Sequence, residues 1–177
     1  VDFWHKEGFN LTFSKNSCEI GKFHSSSIAS RVEDIHEAFC DPNVKMIITC
    51  LGGFNTNQLL RHLDYDLIAK NPKILCGYSD ITALHNAIYA KTGLVTYHGP
   101  HFRETEYTRQ AFEDCVIKDG PVTVVPSEAA VKYHTIQEGV CEGTIIGGNL
   151  CTLNLLQGTP YMPDISDKVL FLEDDNI

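Results

Sequence analysis

Lys73-Ile74-Leu75-Cys76-Gly77-Tyr78-Ser79-Asp80-Ile81-Thr82-Ala83-Leu84 is the stretch whose reading decides the fold. Ile74 to Cys76 is a short apolar run between Pro72 and Gly77, and it reads as a buried strand. From Asp80 the period changes. Ile81, Leu84, Ala87 and Ile88 recur at spacings of three and four, which predicts a helix with one apolar face. Ser79 therefore sits where a strand breaks into a helix. Its hydroxyl would stand above the strand's carboxyl end, near the positive end of the helix dipole. Two readings compete. Ser79 caps the helix, since Ser and Asp are favoured N-caps. Or it is an exposed serine held on a tight turn, the geometry of a nucleophile elbow.

Outward from this stretch, strands and helices alternate. Val44 to Cys50 reads as a buried strand that leads into Leu51-Gly52-Gly53-Phe54-Asn55, with a helix from Gln58 to His62. Arg31 to Phe39 is helical, with Val32, Ile35, Ala38 and Phe39 on one face, and Leu67 to Lys70 forms a short helical turn. Leu94 to Tyr97 is a further strand, running into His98-Gly99-Pro100. Residues 1–9 look like the end of a helix stopped by Gly8, and Asn10 to Ser14 alternates as a strand does. Thr108 to Val116 is helical, and Val122 to Val125 is a short strand between Pro121 and Pro126. Thr144 to Gly148 is a strand and turn, Asn149 to Leu156 a short helix, and Lys168 to Leu172 a buried strand ending at Glu173.

The expected fold class is α/β. An open, mostly parallel sheet of the flavodoxin or Rossmann type carries helices on both faces, followed by part of a smaller second domain. The expected divisions are a serine-bearing α/β domain over 1–120, lacking its first strand, a linker region over 121–139 and the start of a second domain over 140–177. In such sheets ligands sit at the carboxyl ends of the strands. Gly52-Gly53, Ser79 and His98-Gly99-Pro100 all follow strands, so three loops converge on one edge.

Composition narrows the function classes. The chain has 177 residues, 43% apolar and 21% charged, as a globular protein does. Its formal charge of −9 argues against a nucleic-acid partner, which calls for clustered Lys and Arg. No run approaches the ~18 apolar residues of a membrane span. The seven cysteines form no CxxC pair. Cys50 and Cys76 end apolar runs and are expected to be buried. This usage fits reduced thiols in a cytoplasmic protein. The histidines show no metal-ligand spacing, and neither metal nor cofactor is expected.

The Gly-Gly pair lets backbone N–H groups approach a ligand closely, either as an oxyanion hole beside Ser79 or as a plain turn. A phosphate loop is a third option, but neither GxxxxGKS nor GxGxxG is present. A serine nucleophile also needs a base, usually a histidine oriented by a carboxylate. Glu173, at the end of an apolar strand, is the candidate carboxylate, against its reading as a solvated acid. His98 is the best placed histidine, against its reading as a turn residue. His85 falls inside the helix, and His101 follows the turn.

Taken together, Gly52-Gly53-Phe54-Asn55-Thr56-Asn57-Gln58-Leu59-Leu60, Leu63-Asp64-Tyr65-Asp66, Asn71-Pro72-Lys73, Gly77-Tyr78-Ser79-Asp80-Ile81-Thr82-Ala83-Leu84 and His98-Gly99-Pro100 resemble the LD-carboxypeptidase family of serine peptidases. Gly147-Gly148-Asn149-Leu150, Gly158-Thr159-Pro160 and Phe171-Leu172-Glu173-Asp174 continue the match in order. The resemblance implies a Ser–Glu–His triad with Ser79 as nucleophile and Glu173 as its glutamate. It implies an oxyanion hole from the N–H groups of Gly53 and Asp80, and substrate contacts from Gly52, Phe54, Asn55 and His98. The family's histidine lies beyond the Leu172-Glu173-Asp174 motif, so no residue of 1–177 inherits that role.

The family has two branches. One removes the terminal D-alanine of murein tetrapeptides, and the other resembles the microcin C immunity peptidase, which cuts an aspartate from a nucleotide-like group. Phe54-Asn55-Thr56-Asn57-Gln58 looks more like the second, whose loop is typically GGxNSNxLL, than the first, with GGYGxxRLL. The implied partners are a small peptide or a peptidyl-nucleotide, and a second copy of the chain in a homodimer. A different class stays open beside this one: an α/β module that keeps the pocket as a binding site without the chemistry.

Overall fold

β2 forms over Ile74–Gly77, where the apolar run predicts it. The computed structural model describes residues 2–6, 8–22, 24–102, 106–118, 123 and 134–174. β2 is the centre of a parallel three-stranded sheet, between β1 (Met46–Ile48) and β3 (Tyr97–His98). Ile47 lies beside Leu75, and Cys76 beside Tyr97. Successive residues of β2 point to opposite faces, as a pleated strand requires. Leu75 packs into one apolar cluster and Cys76 into another.

Helices cover both faces. On one side lie α2 (Ile28–Cys40), α3 (Tyr65–Lys70) and α4 (Thr82–Thr92), which supply Phe39, Ile68, Leu84 and Ile88 to the larger cluster. On the other, α1 (Asp2–Lys6) and α5 (Glu106–Phe112) bring Trp4 and Phe112 against Cys76. Trp4 meets the Phe112 ring edge-on at 5.4 Å, and its indole N–H donates to the Phe102 carbonyl. Large side chains buried in this way contribute about 1.5–3 kcal/mol each.

α4 is the central helix, and every residue from Thr82 to Ile88 is buried. Its apolar stripe faces the first cluster. Its polar stripe is bonded to backbone: His85 Nε2 lies 2.9 Å from the Gly77 carbonyl, and Asn86 Nδ2 donates to the carbonyls of Thr82 and Gly147. Gly93, at φ +73°, closes the helix.

A second, two-stranded parallel sheet joins β4 (Thr144–Asn149) and β5 (Lys168–Glu173), with α6 (Leu150–Asn154) after β4. α4 docks on β4 through the Thr82 hydroxyl, which accepts the Asn149 N–H at 2.9 Å. Gly148 makes this approach possible: a Cβ there would fall 2.5 Å from Thr82 Oγ1 and 3.2 Å from His98 Nδ1.

The α/β architecture with parallel sheets is as expected, but several elements differ. Among the described residues, Asn10 to Ser14 pairs with no strand. It is anchored by side chains instead. Asn16 donates from its backbone N–H and its amide to Asp34 of α2, and Phe13 meets Phe102 edge-on. β1 ends at Ile48, which leaves Cys50 exposed rather than buried. The segment before β3 pairs only from Tyr97, and Val95 is exposed. Gln58 to His62 belongs to a 3-10 helix over Thr56–His62, and the α5 segment ends in a π turn over Glu113–Ile117. β5 is not buried: Leu170, Phe171 and Leu172 are 48%, 50% and 43% exposed. It pairs with β4 alone among the described residues, so its other edge has no strand partner there. The strand expected at Val122 to Val125, most of the 121–139 linker and Asp175 lie outside the described residues.

Candidate active site

Ser79 stands in a 3-10 turn (Ser79–Ile81) between β2 and α4, with φ +61°. A non-glycine residue in this left-handed region costs of the order of 1–3 kcal/mol and persists only where its surroundings enforce it. The Ser79 side chain caps neither helix. Its hydroxyl makes no hydrogen bond among the described residues. The turn presents the hydroxyl instead to a cavity of about 210 Å³ lined by Leu51, Gly52, Gly53, Tyr78, Ser79, His101 and Glu173.

The loop after β1 lies flat against this serine because Gly52 has no side chain. A Cβ there would sit 3.0 Å from Ser79 Oγ and 3.5 Å from the Asp80 nitrogen. Gly53 has φ +146°, a conformation open to glycine. The space before the hydroxyl is thus bordered by backbone.

Asp80 fixes the loop's shape. Its carboxylate, almost fully buried, accepts the backbone N–H groups of Asn55 and Thr56, each at 2.8 Å, and so caps the neighbouring 3-10 helix rather than its own. From the other side Arg31 of α2 donates to the Asn55 carbonyl and to Asn55 Oδ1, while Asn55 Nδ2 donates to Ser25. Burial holds the Arg31 pKa below its ordinary value, opposed by the Asp80 charge. Asp80→Ala leaves two loop N–H groups without their acceptor. It is expected to cost about 2–3 kcal/mol of stability, read by urea denaturation, with Asp80→Asn milder because an acceptor oxygen remains.

Glu173 reaches the cavity from the end of β5, as the sequence expects of the strand. Its neighbour Asp174 turns elsewhere. Asp174 accepts the backbone N–H of Cys151 and lies 3.4 Å from the Asn149 amide, at the start of α6. Neither Phe54, 75% exposed, nor Asn55 lines the cavity. The Asn55 side chain is engaged by Ser25 and Arg31. His98 lies beside the cavity, its Nε2 3.7 Å from Glu173 Oε1.

The histidine on the cavity wall is His101, which the sequence reading set aside. It is buried beneath Tyr78, with ring centroids 4.2 Å apart, and its Nδ1 is 2.7 Å from the Thr49 hydroxyl. Burial and the nearby His98 lower its pKa. Tyr78 and His101 were within reach of sequence reasoning only as neighbours of Ser79 and of the His98-Gly99-Pro100 turn. His85 is buried as well, inside α4, and burial pushes its pKa down to about 4 against the help of the Gly77 carbonyl. Among the described residues no group of three or more His, Cys, Asp or Glu side chains is placed to hold a metal ion. No helix among them is long and apolar enough to cross a membrane. A wider surface groove of about 840 Å³ runs along α2 past Ile28, Val32 and Arg61, but it shares no residue with this site.

Comparison with known proteins fixes the family. A sequence model described as the LD-carboxypeptidase N-terminal domain matches residues 1–99. This chain belongs to the LD-carboxypeptidase family. The family's C-terminal domain matches residues 142–177. YocD of Bacillus subtilis, provisionally named a carboxypeptidase, is 51% identical over 95% of the chain and 59% of its own length. The microcin self-immunity protein MccF of Escherichia coli is 32% identical over 98% of the chain and 60% of its own length. Among solved structures, an MccF-like protein from Bacillus anthracis superposes with a TM-score of 0.88 at 51% identity, covering 99% of this chain and 60% of that one. The chain thus spans about six-tenths of the length of these LD-carboxypeptidase relatives.

Proposed function

We propose that the intact protein is a serine peptidase that hydrolyses an amide bond through an acyl-enzyme on Ser79. The observation that carries the proposal is the Ser79 turn: an unbonded hydroxyl held at φ +61° on the wall of a cavity shared with Gly52, Gly53 and Glu173. In the first step Ser79 Oγ attacks the carbonyl carbon and gives its proton to a histidine. The N–H groups of Gly53 and Asp80 receive the negative oxygen. The amine leaves with that proton, and water then releases the acid and frees Ser79. Glu173 orients the histidine, which the family resemblance assigns to a motif beyond residue 177.

The domain reading supports this as 1–120 for the serine and its oxyanion loop, 121–139 as linker, and 140–177 for the strand that delivers Glu173. Gly52 and Phe54 border the substrate's path, whereas Asn55 acts through the loop's shape. A homodimer in the cytoplasm suits the family reading.

For substrate, the proposal favours an aminoacyl- or peptidyl-nucleotide amide over a murein tetrapeptide. Two facts support it. The Phe54-Asn55-Thr56-Asn57 loop resembles the microcin-immunity pattern more than the murein one, with Thr56 in place of its serine. The structure of MccF with glutamyl sulfamoyl guanosine superposes with a TM-score of 0.82, against 0.70 for a muramoyltetrapeptide carboxypeptidase from Oxalobacter formigenes. The test is to offer the intact protein an aminoacyl nucleotide amide and a murein tetrapeptide side by side. We expect kcat/KM to favour the nucleotide amide by at least about tenfold, with an acyl adduct on Ser79 trapped by acid quench. The reverse preference would assign the murein branch. Binding of either compound without turnover would replace the peptidase with a binding module.

A further inference from the structure

Glu173 carries a feature that the triad alone does not explain. Its side chain is partly open to the cavity, yet Oε1 is fully buried and has no hydrogen-bond partner among the described residues. A buried carboxylate oxygen without a donor is costly, and native structures rarely leave one so. Among the described residues, His98 Nε2 lies 3.7 Å from it, within ion-pair range but longer than a hydrogen bond.

The His98 ring is confined around that direction. Its Nδ1 edge faces Gly148 of β4, where a Cβ would come within 3.2 Å. Phe171 of β5 meets the ring at 5.9 Å, and Tyr78 and His85 at 6.4 Å each. His98 ends β3 of the first sheet and Glu173 ends β5 of the second, so this pair spans the two sheets at the active edge. The titratable groups around His98 are Glu173 on β5, His85 on α4, His101 beyond β3 and Tyr78 after β2. Burial lowers the His98 pKa and Glu173 opposes it, with burial the larger effect, which favours the neutral imidazole.

We propose that His98 is a positioning residue for Glu173: neutral and protonated on Nε2, it donates to Oε1 and fixes the carboxylate so that Oε2 is presented to the triad histidine. The approach closes by ~0.5–1 Å when the site is occupied, as active-site hydrogen bonds commonly tighten in the complex. His98 then contacts no substrate, which changes the role that the family resemblance suggests for it. The inference rests on the serine-peptidase reading.

The experiment uses the intact protein with His98→Leu, His98→Gln and Glu173→Gln, singly and combined. Gln keeps an N–H donor near the position of Nε2, whereas Leu does not. His98→Leu is expected to lower kcat about 10–30-fold with KM within about twofold, because a misplaced catalytic group costs rate rather than ground-state binding. His98→Gln should recover kcat to within about threefold of wild type. In His98→Leu the triad histidine loses its well-placed anion, so its pKa falls and the acid limb of kcat/KM moves to lower pH. The limb should return in His98→Gln. In the Glu173→Gln background, His98→Leu should cost almost nothing further.

A rise in KM at unchanged kcat would overturn the proposal in favour of a substrate contact. Full additivity with Glu173→Gln, or equal losses in the Leu and Gln variants, would overturn it as well. Ser79→Ala serves as the control: activity retained there removes the serine-peptidase reading itself. An inactive Ser79→Ala beside an unaltered His98→Leu removes only the positioning role. Thermal denaturation of His98→Leu separates misfolding from either result, and His98→Gln carries the test should the Leu variant not fold.

Discussion

Ser79→Ala is expected to reduce kcat of the intact protein by roughly 10³-fold or more while the fold survives. The physical basis is local. The Ser79 hydroxyl has no hydrogen-bond partner among the described residues, so its removal breaks no bond that holds the turn. The turn itself is fixed by the Gly52 contact beneath it and by the buried Asp80 carboxylate beside it. Alanine at φ +61° carries the same backbone strain as serine, so stability should change by well under 1 kcal/mol. Steady-state kinetics together with a thermal melt check both halves. Near-normal turnover in a folded Ser79→Ala protein would end the nucleophile assignment.

Glu173→Gln should cut kcat by ~10²–10⁴-fold, the range seen when a triad carboxylate is neutralised. In the proposed triad the substitution keeps size and shape but leaves the histidine without an anion to stabilise its charged form. Asp174→Asn separates the two adjacent acids. Asp174 accepts the Cys151 N–H at the start of α6 and does not line the cavity, so its loss should weaken that helix end by about 0.5–1 kcal/mol and barely alter kcat. The reverse pattern would mean that the wrong acid has been chosen. Kinetics and melting curves of both variants decide it.

Much of this arrangement was legible in the chain because local rules and tertiary structure agree. Ile74 to Cys76, Gly77 and the Ile81-Leu84-Ala87-Ile88 spacing each point to strand, turn and helix, and each forms. The apolar stripe of α4 was readable, but its polar stripe was not. Thr82, His85 and Asn86 look like ordinary helix-surface residues, and only their burial against β2 and β4 shows what they bond to. Asn10 to Ser14 alternates like a strand because one side of it packs on the core, yet a strand also needs a neighbour with free ladder positions. Periodicity carries no information about that neighbour. Lys168 to Leu172 failed in the opposite way: apolar composition predicts burial, whereas exposure depends on what lies across the sheet. That Ser79, Gly52 and Glu173 share one cavity was readable from their places at strand ends. His101 was passed over because the proximity of Thr49 and Tyr78 is a product of the fold.

The Asp80 clasp on the loop after β1 bears on how specificity can diversify. The loop's path is specified by two backbone N–H groups, those of Asn55 and Thr56, and by the absence of a side chain at Gly52. Phe54, at the crest of the loop, supports none of these contacts and is largely exposed. Its identity can therefore drift without disturbing the loop's path or the Ser79 turn that the loop covers. On the proposed reading, a lineage, or an engineer, can exchange the crest to suit a new leaving group while the Ser79 turn beneath it is inherited unchanged.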